Sequence, residues 1–400
     1  MLLNMLKILL VSNLYPNENE PTRGVFTEQI VEKLSNNNVV EVVAPTPWFP
    51  TFLNRFKPTP HKYLPSTCIR KNIKVHHPQY VVIPKIGRWL YGLLFFLGIF
   101  NTLRKLKKTF KPDVINVHWM YPDGFGTVLA AKILGIPVVT HSLGCDINEY
   151  SQYPLRRVFI SLALKMANFN ISVSEELRNK TIELGSSPEK TISIMNGVNP
   201  ELFSTKNQDQ MRDKLHLPKD KKLVLYAGNF NIEKGLEILL RAFSLVHKKH
   251  PNVVLVIVGS GPLEEHIKSV VSELKITDKL VFIGRVEHNQ VINYLSASDF
   301  LCLPSLREGC PNIVLESLSS NTPVIASKVG AVPEMLKSKA TKLGLMSEPN
   351  SVEDLAKVLT ETLSMDWPKD LDFKWMDWQE SANKIAEVLK HVSNKHKDAY

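Results

Sequence analysis

The chain has 400 residues, 44% hydrophobic and 22% charged, with a formal net charge of +10. At roughly 150 residues per domain this makes two or three ordinary globular cores, and it excludes a disordered chain, a collagen-like fibre and a long coiled coil. The charge is one-sided: Val42 to Pro112 holds thirteen Lys and Arg and no Asp or Glu, which leaves −3 (10 − 13) for the rest. Such a segment implies an anionic partner, whether nucleic acid, a membrane surface or a phosphorylated substrate.

In chain order, Met1 to Val11 is apolar but has no basic start and no small-residue cleavage site. It reads as a first strand, Lys7 to Ser12, not as a signal peptide. A helix over Thr27 to Leu34 and a strand over Val39 to Ala44 follow. Trp89 to Phe100 is the longest apolar run, short of the ~20 residues that span a bilayer. Lys85 and Arg88 precede it, and Arg104, Lys105, Lys107 and Lys108 follow. It suits an interfacial helix on anionic lipid, or a buried helix with a solvated basic end. Strands Val114 to His118, Val138 to His141, Asn170 to Val173 and Thr191 to Ile194 then alternate with helices over Phe125 to Leu134, Leu155 to Ala167 and Ser174 to Leu184.

After the turn Asn196-Gly197-Val198-Asn199-Pro200 and a polar stretch to Asp220, the pattern restarts. Strands are expected at Leu223 to Ala227, Val253 to Val258, Leu280 to Ile283, Phe300 to Leu303 and Val324 to Ala326, with helices from Gly235, Pro262, Asn289 and Pro311. A last helical pattern begins near Trp378. Short buried strands alternating with helices predict an α/β protein with parallel sheets covered on both faces. The expected domains are 1–199 and 200–376. Doubly wound domains bind ligands beyond the C-terminal ends of their strands. If two such edges face each other, the site is the cleft between them.

The residues just past the strands therefore carry the argument. Gly259-Ser260-Gly261-Pro262 lacks the third glycine of a dinucleotide fingerprint, because that position is Glu264. Gly228-Asn229 leads to Lys234 at a helix start, where a phosphate meets both an ammonium and unpaired backbone N–H groups. The loop Pro304 to Asn312 holds Glu308 and Gly309, and the helix after it carries Glu316 about one turn beyond Asn312. Gly309 lets a backbone approach a ligand closely, and a carboxylate at Glu316 can take two sugar hydroxyls. In the first half, His118 and His141 both end strands and converge on one edge. Asp370-Leu371-Asp372, the one Asp-x-Asp, lies away from any strand end and reads as a solvated loop. Cys68, Cys145, Cys302 and Cys310 form no metal-like pair and read as free thiols of a cytoplasmic protein.

At these residues the chain resembles glycosyltransferase family 4, the retaining, nucleotide-sugar-dependent enzymes of the GT-B fold. Glu308 and Glu316, with seven residues between them, resemble the family's paired-glutamate motif. Pro323 to Glu334 resembles the segment after it, and Asn196 to Phe203 is similar to its interdomain turn. The helix from Trp378 resembles the family's C-terminal helix, so that 377–400 would cross back onto the first domain. The resemblance implies a GT-B pair of Rossmann-like domains facing across a cleft, with acceptor bound by the first and donor by the second. It implies that Lys234 holds the donor diphosphate and Glu316 the ribose. Glu308, with the backbone of Gly309 and Cys310 in the loop that runs on to Pro311 and Asn312, would engage the donor sugar. Arg285 and Val286 would border the base, and Gly24 would lie near the donor phosphates or the acceptor. Catalysis would rest on Glu308, Lys234 and His141, with no metal and no cofactor.

Two positions depart from the family pattern: Asn229 stands where an Arg is usual, and Leu143 where a His is usual, with His141 two residues earlier. They keep open a catalytically idle, sugar-nucleotide-binding homologue. A nucleic-acid binder is the weaker alternative, because it leaves the Glu308 to Glu316 loop unexplained. The expected partners are a nucleotide sugar, a glycan or lipid-linked acceptor of polysaccharide assembly and an anionic membrane surface touched by Arg88, Arg104, Lys105, Lys107 and Lys108. No nucleic acid is expected. The expected location is the cytoplasm, peripheral on the inner face of the cell membrane.

Overall fold

The computed structural model describes residues 5–49, 64–83, 87–337, 341–368 and 370–398. Lys85 lies outside these. The chain divides into two compact units, Met1–Met195 with Trp378–Tyr400, and Asn196–Asp377. No helix of the described residues is long and apolar enough to cross a membrane.

The first unit contains β1 (Lys7–Val11), α1 (Val25–Ser35), β2 (Val39–Val43), β3 (Thr46–Trp48), β4 (Thr67–Arg70), β5 (Ile73–His76), β6 (Gln79–Val81), α2 (Tyr91–Thr109), β7 (Val114–His118), α3 (Phe125–Leu134), β8 (Val138–Ser142), α4 (Cys145–Asn148), α5 (Pro154–Met166), β9 (Phe169–Ser172), α6 (Glu175–Glu183) and β10 (Thr191–Ser193). Its main sheet runs β10-β9-β8-β7-β1-β2-β5-β4. All pairs are parallel except β4–β5. Strands β7 and β8 are buried at every residue, hence their unalternating sequences. The order reverses between β1 and β7, so the loops after those strands open the switch-point crevice of this unit.

Strands β3 to β6 escaped the pattern reading. They are three or four residues long. The β4–β5 hairpin turns through Lys71 and Asn72, both at positive φ (49° and 63°), a primed turn without the usual Asn-Gly signature. Helix α2 buries Gly92, Phe95, Ile99, Leu103 and Leu106 along one face, so one face of the Trp89 to Phe100 run, at Gly92, Phe95 and Ile99, joins the core. Its opposite face keeps Leu97 65% exposed. Lys107 donates to the Leu134 carbonyl at the end of α3, capping that helix C-terminus. The last helix, Trp378–Lys397, buries Trp378, Ala382, Ile385, Leu389 and Val392 at helical spacing. These join Ile30, Val31 and Leu34 of α1 in one core.

The second unit contains α7 (Gln208–Lys214), β11 (Lys222–Ala227), α8 (Leu236–His247), β12 (Val253–Val258), α9 (Glu264–Leu274), β13 (Leu280–Gly284), α10 (His288–Ala297), β14 (Phe300–Leu303), α11 (Asn312–Ser319), β15 (Val324–Ser327), α12 (Val332–Met335), β16 (Gly344–Ser347) and α13 (Val352–Ser364). Its sheet runs β13-β12-β11-β14-β15-β16 and is wholly parallel. This is the doubly wound 3-2-1-4-5-6 order, reversing between β11 and β14. The loops after these two strands are those that carry Lys234 and Glu308.

Candidate functional site

Lys234 ends a short helical turn after β11. The Asn231 side chain accepts from its backbone N–H at 3.1 Å, fixing the turn. Gly235 follows at φ +63°, and a Cβ there would sit 2.0 Å from the Pro304 carbonyl oxygen. Only glycine permits both the backbone and that close approach of the β11 and β14 loops. Leu306 N–H donates to the Glu233 carbonyl at 2.8 Å and ties the loops again. The result is a pair: Lys234 Nζ lies 2.6 Å from Glu308 Oε1. Ser305 Oγ donates to the same oxygen at 2.7 Å. Asn229, earlier in the loop after β11, is exposed. A guanidinium that the sequence reading passed over, Arg307, lies on the loop after β14, 3.7 Å from Glu233.

The rest of the loop is built on backbone contacts. Ala331 N–H donates to the Gly309 carbonyl at 2.9 Å, so the segment after β15 buttresses the Glu308-Gly309 turn. Burial pushes the Cys310 thiol up to about 12, which keeps it protonated and inert. Pro311 precedes the first residue of α11, and Asn312 receives the Asn196 side-chain amide at 2.9 Å. Glu316, 6% exposed, accepts from His288 Nε2 at 2.7 Å. His288 opens α10, just beyond Arg285, which is exposed, and Val286, which is half-buried. The sequence reading missed this histidine. Its signal was a titratable residue heading a helix right after a strand-end loop.

Glu316 holds the His288 imidazole above its ordinary range, chiefly through their hydrogen bond. A proton favoured in the folded state stabilises the fold below the ordinary imidazole pKa, and that contribution fades as pH rises through the raised one. His288→Gln is therefore expected to lower Tm more at about pH 5.5 than at about pH 9. Equal losses at both, in thermal melts, would mean that the pair contributes nothing through its charge.

In the first unit, Gly24 starts α1 at φ +69°, and a Cβ there would fall 2.1 Å from the Leu14 carbonyl oxygen. It is needed to fold the β1 loop onto the helix start. His141 is 1% exposed, its ring edge-on to His118 at 4.5 Å between centroids. Burial lowers both imidazoles, so the pair is neutral. Strand β8 stops at Ser142, and Leu143 turns its N–H to the Asp146 carboxylate at 3.1 Å. Extended geometry thus ends before position 143, and His141 packs with His118 inside the sheet. Asp370 and Asp372 are exposed around a buried Leu371.

Lys234, Glu308, Gly309, Cys310, Asn312 and Glu316 thus gather around the loops that end β11 and β14, whereas His141 and Gly24 belong to the other unit. Residues 207–385 match the family described as glycosyl transferases group 1, and residues 24–202 match glycosyltransferase family 4. TuaC of Bacillus subtilis (strain 168), a glycosyltransferase assigned to teichuronic acid biosynthesis, is 28% identical over 96% of this chain and 97% of its own. Among solved structures, sucrose-phosphate synthase from Thermosynechococcus elongatus superposes with a TM-score of 0.75 at 20% identity, covering 98% of this chain and 99% of that one. Anabaena HepE in complex with UDP gives 0.67 at 17% identity and covers 99% of each.

Proposed function

Because the chain belongs to glycosyltransferase family 4, we propose that it moves a sugar, with retention of anomeric configuration, from a nucleotide diphosphate sugar to a hydroxyl of a glycan or lipid-linked acceptor in polysaccharide assembly. The observation that carries this reading is the Lys234–Glu308 pair at the switch point of the second sheet. A diphosphate arriving there takes the ammonium from Glu308 and frees that carboxylate for a donor-sugar hydroxyl. Glu316 exchanges His288 for ribose hydroxyls. Gly228, Asn229, Arg285 and Val286 border the nucleotide. As the glycosidic bond breaks, charge grows on the leaving diphosphate. Lys234 and the N–H groups opening α11 balance it without a metal. The idle-homologue reading keeps one supporting observation, the exposed Asn229 where a second cation is usual.

A screen of nucleoside diphosphates and their sugar conjugates by thermal shift tests the reading. A ligand at a hundredfold its Kd stabilises by about 2.7 kcal/mol. One base is expected to raise Tm well above the others, and no shift with any of them would refute the reading.

We further propose that the protein is cytoplasmic and docks on an anionic membrane. Leu97 on α2, Ile133 on α3 and Leu155, Val158 and Leu162 on α5 are exposed apolar side chains on successive packed helices. Arg88, Arg104, Lys105, Lys107 and Lys108 are exposed beside them. Each cation near an anionic surface adds about 1 kcal/mol, screened by salt. Changing Arg104, Lys105, Lys107 and Lys108 together to Gln is expected to release the protein from anionic vesicles and to leave nucleotide binding unaltered. Equal sedimentation of the variant would make the cluster a solvated helix end.

A further inference from the structure

A cavity of about 510 Å³ opens in the first unit beyond the C-terminal ends of its strands. Asn13 and Leu14 reach it from β1, Trp119 from β7, and Glu149 and Tyr150 from the segment after β8. This is the crevice where the strand order reverses, the place a doubly wound sheet offers a ligand. Its wall is aromatic, and three guanidinium groups, Arg23, Arg88 and Arg156, face one carboxylate, Glu149, among the described lining residues. Arg23 is already engaged by Glu20 at 2.8 Å.

Arg156 is different. It is nine-tenths buried, at 9% exposure, with its guanidinium over the rings of Tyr150 at 4.9 Å and Tyr153 at 4.4 Å. Ring faces orient this group, but they do not satisfy its five N–H donors. Among the described residues no carboxylate or carbonyl receives a hydrogen bond from it. Cations this buried are ordinarily paired. Unpaired among the described residues, Arg156 stands on a cavity wall where an anion can reach it. Trp119, on the same cavity wall, has a conformation that L side chains rarely adopt, φ +79°, and meets Tyr150 edge-on at 5.7 Å. A held, strained side chain of this kind is commonly spent on a ligand, and its ring face suits the C–H side of a sugar.

We propose that this cavity receives the terminal sugar of the acceptor, and that Arg156, assisted by Arg88, selects a sugar bearing an oxyanion, either a carboxylate or a phosphate. The inference rests on the transferase reading above. It adds the class of acceptor: an acidic or phosphorylated glycan end, oriented by a planar fork that matches two oxygens of one anionic group.

Calorimetric titration without any donor tests it, with p-nitrophenyl β-D-glucuronide, the corresponding glucoside and the phosphorylated glucoside as probes. One anionic glycoside is expected to bind at least about tenfold tighter than the neutral one, and which of the two does so tells carboxylate from phosphate. Arg156→Gln is expected to remove that preference and leave the weak binding of the neutral glucoside. Arg88→Gln, at an exposed position, is expected to reduce it severalfold. Unchanged Tm and nucleotide binding certify that the variants are folded. Equal affinity for charged and neutral probes, or a preference that survives both substitutions, overturns the inference. A nucleotide that stabilises the protein while the anion preference is absent sinks this inference alone. An anion preference with no nucleotide binding sinks the transferase reading instead.

Discussion

Lys234→Ala is expected to lower kcat by about 10²- to 10³-fold, the loss seen when one preorganised group facing developing charge is removed. The physical reason is timing. In the resting protein the ammonium is neutralised by Glu308 at 2.6 Å, so part of what it gains from the intact donor is offset by giving up that partner. As the diphosphate leaves, its charge increases and the ammonium gains more. Only interactions stronger in the transition state accelerate the chemistry. The variant should therefore lose more in kcat than in donor affinity, measured by steady-state kinetics beside a direct binding titration. The opposite split, a large loss of affinity at unchanged kcat, would make Lys234 a ground-state anchor. With Asn229 exposed and uncharged, and Arg307 turned to Glu233, the proposed leaving-group role falls to this ammonium together with the N–H groups opening α11.

Glu316→Ala is expected to weaken binding of the free nucleoside diphosphate by about 10- to 100-fold. Glu316 is 6% exposed and fixed on the first turns of α11, so the proposed bonds to ribose would form in the ground state and appear in affinity. A hydrogen bond to a charged group contributes roughly 1.5–3 kcal/mol, of which the displaced His288 recovers part. Isothermal titration with the free nucleotide checks this, and unchanged affinity would remove Glu316 from the ribose site. Glu316→Gln should lose less, since the amide oxygen still accepts one hydroxyl.

The placement of Lys234 and Glu308 at strand ends was legible in the sequence because topology amplifies a simple signal. A buried apolar run such as Phe300 to Leu303, ended by Pro and followed by a helix pattern, marks a strand end. The 3-2-1-4-5-6 order then makes the ends of β11 and β14 neighbours. Lys234 and Glu308 meet from 74 residues apart for that reason. What was illegible depends on partners rather than pattern. His288 gains meaning only because Glu316 is opposite it. The β3 to β6 region has strands too short to show a period, with a turn built on Lys71 and Asn72. The Trp89 to Phe100 run looked uniformly apolar, but α2 buries one face of it and leaves Leu97 outside. His141 lies one residue before the end of β8, and its neighbour across the sheet, His118, packs edge-on against it. Arg156 was hidden most deeply. Its sequence neighbourhood, Pro154-Leu155-Arg156-Arg157, reads as an ordinary basic helix start, and only the fold encloses one of the two guanidinium groups.

The most direct measurement is the release of nucleoside diphosphate from the stabilising sugar nucleotide, in EDTA, by the wild-type protein and by Lys234→Ala. Steady release by the wild type is expected in the presence of chelator, with a fall of about 10²-fold or more in the variant while it still binds the donor. Release that stops with EDTA and returns with magnesium or manganese would contradict the metal-free role given to Lys234. Equal release by the two proteins would contradict the site itself.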